Sequence, residues 1–145
     1  MSPRFAVPVA LLSIALAIAD PASAQSAPVT SDPTSLLWGR QFTEWFYSWQ
    51  TDSIFALMDA ERQQRLQSPT EMLKLLSTVQ QQGGVETDVI SEEVKLDTAV
   101  AGGYRYVRRT HFSNIPQMVV RLVWVINADR KIAGFGIRPE DQSGN

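Results

Sequence analysis

The sequence predicts an α+β fold, with three N-terminal helices packed on a four-stranded antiparallel sheet. Two observations carry this. Up to Gly84 the apolar residues recur at helical spacing, and after it they alternate. The alternating segments are separated by turn-forming runs of a few residues, which suits antiparallel neighbours in a meander. Helices and strands segregated along a chain in this way belong to the α+β class.

The first helix is predicted to start at Asp32-Pro33, where Asp is a good N-cap and proline fits the first helical position. It runs to about Gln50. Trp38, Phe42, Trp45 and Trp49 fall at offsets 0, 4, 7 and 11, one face of a helix, and Phe46 widens the stripe. So aromatic a helix must be covered by the rest of the chain. Gly39 lies inside it at a cost of about 1 kcal/mol relative to alanine, as where two backbones approach closely. After a break at Thr51-Asp52, Ile54, Phe55, Leu57 and Met58 form a short second helix, and the charged stretch DAERQQRLQ follows it. The third helix starts at Ser68-Pro69-Thr70-Glu71, which reads as a capping box. Met72, Leu75, Leu76 and Val79 are its apolar face, and Gly83-Gly84 closes it.

Four strands follow. The first spans 85–97, with its alternation slipping around Ser91 to Glu93, which predicts a bulge there. The second spans 104–112, the third 117–126 and the fourth 131–137, leaving 138–145 as a polar tail. Tyr104, Tyr106, Arg108, Thr110 and Phe112 share one face of the second strand, and Arg105, Val107, Arg109 and His111 share the other. On the third strand the face carrying Trp124 is the more purely apolar, so it should meet the first helix. Acidic residues of the first strand oppose arginines of the second, an arrangement that contributes about 0.2–1 kcal/mol for each pair directly across.

The chain has 145 residues, no cysteine and a net charge of −2, too mild to point to nucleic acid or anionic lipid as a partner. Its start reads as a secretory signal peptide. Arg4 is the positive n-region, 6–19 is the apolar stretch, and Ala22-Ser23-Ala24 is a small-x-small site before Gln25. The stretch is shorter than the roughly 20 residues needed to span a bilayer. Cleavage between Ala24 and Gln25 implies a periplasmic or secreted domain, free of the membrane once processed. Without a twin-arginine signal, the chain would be exported unfolded and with no cofactor. Residues 1–24 are thus signal peptide, 25–34 a flexible lead-in, 35–139 the domain and 140–145 a disordered tail.

The order of elements, the Gly83-Gly84 pair after the third helix and the hairpin VVRLVWVINADRKIAGFGIRP resemble the nuclear-transport-factor-2-like superfamily, also called cystatin-like. Within it, the likeness is to an uncharacterised exported domain family sometimes found ahead of secreted serine hydrolases. The resemblance implies a curved sheet wrapped around the first helix, with a conical cavity between them. The superfamily includes isomerases and cyclases as well as non-catalytic binding domains, so fold alone does not set function.

Motifs for catalysis are sparse. His111 is the single histidine and, without cysteine, cannot complete an ordinary metal site. If the second strand turns its tyrosines toward the first helix, Trp45, Trp49, Tyr104, Tyr106 and Trp124 line a cavity with Arg108 beside it. That lining would suit an apolar or peptide-like ligand bearing a carboxylate. The simpler reading is that these aromatics fill the core, since aromatic stripes at helical spacing are usually packing. An isomerase-like mechanism needs a carboxylate and a tyrosine inside the cone, and Asp88 with Tyr106 is the pair the sequence offers. The functional expectation is an exported, non-catalytic small-ligand-binding or accessory domain, with a homodimer as a further expectation and an isomerase- or cyclase-like enzyme as the alternative.

Overall fold

Asp32 starts the first helix as its side chain requires: the carboxylate accepts from the Thr34 and Ser35 amides, both at 3.2 Å, and from the Ser35 hydroxyl at 2.6 Å. The computed structural model describes residues 32–140, so the signal peptide (1–24), lead-in residues 25–31 and tail residues 141–145 lie outside the described residues. Helix α1, Pro33–Tyr47, buries Ser35, Gly39, Phe42, Thr43 and Phe46. Its contact face is therefore rotated from the predicted tryptophan stripe. Trp38 and Trp45 pack at its margins, and small residues at four-residue spacing meet the sheet.

Four helices, rather than three, precede the sheet. Helix α2 is Thr51–Leu57, α3 is Ala60–Leu66 and α4 is Pro69–Gly83. The extra helix is the charged stretch. Asp59 caps it by accepting from the Arg62 amide at 2.9 Å. No residue of α3 is buried, so no apolar period announces it. The predicted capping box of α4 does not form: Ser68 makes no side-chain cap bond, and Glu71 pairs with Lys74 at 2.6 Å. Among the described residues no helix is long and apolar enough to cross a membrane.

The sheet has the order β1-β2-β3-β4, with every neighbouring pair antiparallel. Its strands are Glu86–Asp97, Gly103–Phe112, Val120–Ile126 and Ile132–Pro139. The irregularities of β1 fall between Glu86 and Asp88 and between Val89 and Ser91, earlier than the slip in alternation suggested. Strand β3 begins at Val120 rather than Gln117 because the chain is still turning: the Ile115 amide bonds Phe112 and the Met118 amide bonds Ile115. Strand β4 runs on through Arg138 and Pro139, paired with Arg121 and Val120. Glu140, assigned by the sequence to the tail, is tied back through its amide to Val119 at 2.8 Å.

Helix α1 lies on the sheet face that carries Tyr106, Leu122, Trp124 and Ile126, all of them buried. The Trp124 ring sits 5.7 Å from Phe42 and 4.3 Å from Phe135. Its indole N–H donates to the Thr43 hydroxyl at 3.0 Å, and that hydroxyl donates to the Gly39 carbonyl at 2.8 Å. Between α2 and α3, Met58 bridges to Ile132 in parallel, and the Asp59 amide donates to the Ile132 carbonyl at 3.0 Å.

Gly39 is the point of closest approach. A Cβ there would lie 2.2–2.7 Å from three atoms of the Tyr106 ring, which is wholly buried and cannot move aside. Gly39→Ala should gain about 1 kcal/mol of helix propensity and lose more to overpacking, which typically costs about 1–3 kcal/mol and rises with the depth of the clash. The expected result is a lower denaturation midpoint; an unchanged or higher midpoint would show that α1 does not sit on Tyr106.

Candidate functional site

The aromatic residues expected to line a cavity are divided by the fold. Tyr106 and Trp124 stand directly opposite on β2 and β3, and both are 0 % exposed. They are core, covered by Phe42 and Phe46. Trp45 is half-buried and packs its ring 5.9 Å from Phe42. Tyr104 lies toward the N-terminal end of α1, where it borders a recess with Trp38, Ser35 and Asn127. Trp49 lies at the other end, 40 % exposed. Tyr106 and Trp124 are therefore direct neighbours and Trp45 packs on Phe42 beside them, whereas Arg108 sits with the β1 carboxylates and Tyr104 and Trp49 sit at opposite ends.

Arg108 is not a free cation beside a cavity. Its guanidinium is clasped by two carboxylates of β1: it donates from Nε to Glu86 at 3.0 Å, from a second nitrogen to the other Glu86 oxygen, and from Nη1 to Glu92 at 2.8 Å. Tyr47 donates to Glu86 at 2.9 Å, Tyr106 donates to Glu92 at 2.5 Å, and Arg40 closes the set with two bonds to Glu92, the shorter 2.7 Å. The bonds that Arg108 donates to Glu86 raise its pKa further, so it stays charged. Burial pushes the Tyr106 phenol up to about 12, helped by the Glu92 carboxylate, and burial beside Glu86 raises Tyr47 as well. Burial alone would raise Glu92, but the bonds from Arg40 and Tyr106 more than offset it and hold its carboxyl below the usual range. Arg108, Tyr106, Tyr47 and Glu92 are thus each held toward their ordinary charge state. The cluster ties α1 to the β1–β2 hairpin.

Asp88 is not Tyr106's partner. It bonds the His111 Nδ1 at 3.0 Å near the open end of the hairpin, with its side chain 57 % exposed. Among the described residues no group of three His, Asp or Glu could hold a metal ion.

An apolar cleft opens beyond Tyr47. A cleft of about 290 Å³ separates the C-terminal end of α1 from α4 and the start of β1. Phe46 and Phe112 border it from the core, Leu76 and Val79 from α4, and Trp49 from the rim, while Gln80 brings a side-chain amide. Trp49 is placed by the way α1 ends. The Gln50 amide bonds the Trp45 carbonyl at 2.9 Å and the Trp49 amide bonds the Phe46 carbonyl at 3.4 Å, the paired bonds of a Schellman motif. Trp49 occupies the left-handed position of that motif, with φ 63°. Glycine is the usual residue there, because a left-handed backbone costs other residues roughly 1–2 kcal/mol.

Sequence reasoning missed Tyr47, Glu86, Glu92 and Arg40 as one cluster. The signal was present in part: with β1 and β2 in register, Glu92 stands directly opposite Arg108. Arg108→Met leaves two carboxylates facing each other and should cost about 3–5 kcal/mol, the range for breaking a buried ion pair. A loss under 1 kcal/mol in urea unfolding would remove the cluster from the fold's supports. Because the folded Glu92 pKa is depressed, its contribution is present above the unfolded value and lost as pH falls through the folded one. Stability should therefore drop below the ordinary glutamate range near 4.5, and Glu92→Gln should flatten that drop; an unchanged pH profile would contradict the bond set. Compared with known protein families, curated proteins and solved structures, the chain matches none.

Proposed function

We propose that this chain is an exported, non-catalytic binding domain that holds a small apolar or peptide-like ligand in the cleft beside Trp49. The observation that carries the reading is Trp49 itself. A tryptophan occupies a left-handed position suited to glycine, and its ring borders an apolar cleft instead of packing in the core. Strain of that kind persists where the side chain is needed. Export rests on the n-region, apolar stretch and small-x-small site of residues 1–24. The helices ahead of the sheet, with α1 across its apolar face, are in keeping with the cone-shaped, nuclear-transport-factor-2-like class and its uncharacterised exported members.

An isomerase or cyclase would need a carboxylate able to accept a proton beside the substrate. Glu86 and Glu92 are each saturated by an arginine and a tyrosine, which favours the non-catalytic reading. A homodimer is the second reading, favoured by the exposed Val89, Ile90 and Leu96 along the edge strand β1.

Trp49→Gly separates stability from binding. It should relieve the left-handed strain and leave the melting temperature equal or higher, while weakening uptake of an apolar probe such as anilinonaphthalene sulfonate. Native mass spectrometry of the protein from its own host should show a bound small molecule lost in the variant. Probe binding unaffected by Trp49→Gly would defeat the cleft assignment, and a dimer without ligand would favour the second reading.

A further inference from the structure

The sheet face turned away from α1 carries a row of like charges. Arg109, Arg121 and Arg138 stand directly opposite one another on β2, β3 and β4. Like charges placed so are destabilising in an antiparallel ladder. Glu140 compensates Arg109 through a two-pronged bond, the shortest contact 2.7 Å, and Asp97 compensates Arg105 four residues along at 2.8 Å. Arg121 and Arg138 bond no carboxylate among the described residues. Glu140 also acts on Arg121 without bonding it, so the row of three arginines keeps a net positive charge.

The arginines rim a shallow groove of about 350 Å³. Val123 and Val125 form its floor, and Gly134 and Gly136 leave the backbone of β4 uncovered beside them. At Gly136 a Cβ would meet nothing within 4 Å, so the gap belongs to the surface and is not demanded by packing. One end of the groove is Arg121 with Arg138. The other is Arg105, opposite Val125, together with Arg62 of α3, whose Nη2 reaches Gly134 and whose Nε is anchored on the Ala133 carbonyl at 2.5 Å. Arg121 and Val125 are four residues apart, which at about 3.3 Å per residue separates the ends by roughly 13 Å. Arginines that served only to cover the valines would be as well placed alternating with glutamates, which would remove the repulsion.

We propose that this outer groove binds a small elongated dianion, with carboxylate or phosphate groups at both ends of an apolar body. The guanidinium forks receive the oxyanions, and the valine and glycine floor receives the body between them. The site is independent of the Trp49 cleft, which lies on the opposite face of the sheet.

The test is a titration in low-salt buffer, followed through the arginine Nε–H signals by NMR, with decanedioate as the two-ended probe and inorganic phosphate as the single-ended one. Decanedioate should give saturable shifts at Arg121, Arg138 and Arg62, weakening with added salt. Arg121→Gln/Arg138→Gln should reduce its affinity about ten-fold or more, with a melting temperature equal to or above that of the parent because the repulsion is gone. Shifts that do not saturate, or that survive in the double variant, overturn the proposal. Saturation by phosphate at the same concentration overturns its two-ended form. A clear loss of stability in the double variant would make the arginines packing residues and overturn it as well.

Discussion

The structure depends on how closely α1 can lie on the sheet, and Gly39 against the Tyr106 ring sets that distance. Because the backbone comes so near, Thr43 one turn on can accept the indole N–H of Trp124 and pass a bond to the carbonyl of Gly39. The largest side chain of the core is thus both packed and satisfied, and among the described residues no buried side-chain polar atom lacks a partner. The same approach positions the Tyr106 hydroxyl on Glu92, which links the apolar core to the charged cluster at its margin.

That cluster has a cost as well as a benefit. Two carboxylates and two arginines in partial burial are stable only while every charge is met, since removing one partner strands the others. The arrangement fixes the β1–β2 hairpin against α1 and takes up the groups that acid–base chemistry would need. The cleft where α1 stops is bordered mainly by apolar side chains, whereas the groove on the outer face of the sheet is rimmed by arginines.

Much of the fold was legible from residue periods. The apolar face of β3, the division of faces on β2 and the inward turn of Met72 and Leu76 on α4 follow directly from spacing, although Leu75, placed on the same face of α4, is exposed; the inward turn of Tyr106 with Trp124 agrees as well. The position of α1 was less so. Its aromatic stripe named Phe42 and Phe46, which do pack on the sheet, but not Ser35, Gly39 and Thr43, whose small side chains are buried beside them and let the helix approach closely. Helix α3 was illegible for a related reason: with no buried residue, only its Asp59 cap marks it. Trp49 could not be placed by period because the helix ends two residues before it, a stop usually signalled by glycine and here made without one. The arginine ladder was hidden until the register of three strands was known.

The bridge between Met58 and Ile132 has a bearing on how the molecule behaves in a crowd. An edge strand offers unpaired amides and carbonyls to any other extended chain. On the β4 side, the link between α2 and α3 occupies the edge at Ile132 and blocks its end. On the β1 side the edge is long, but two irregularities break its ladder. A domain with no disulfide to hold it together must survive partial opening, and these two devices leave fewer unpaired backbone groups in line for an extended chain to join.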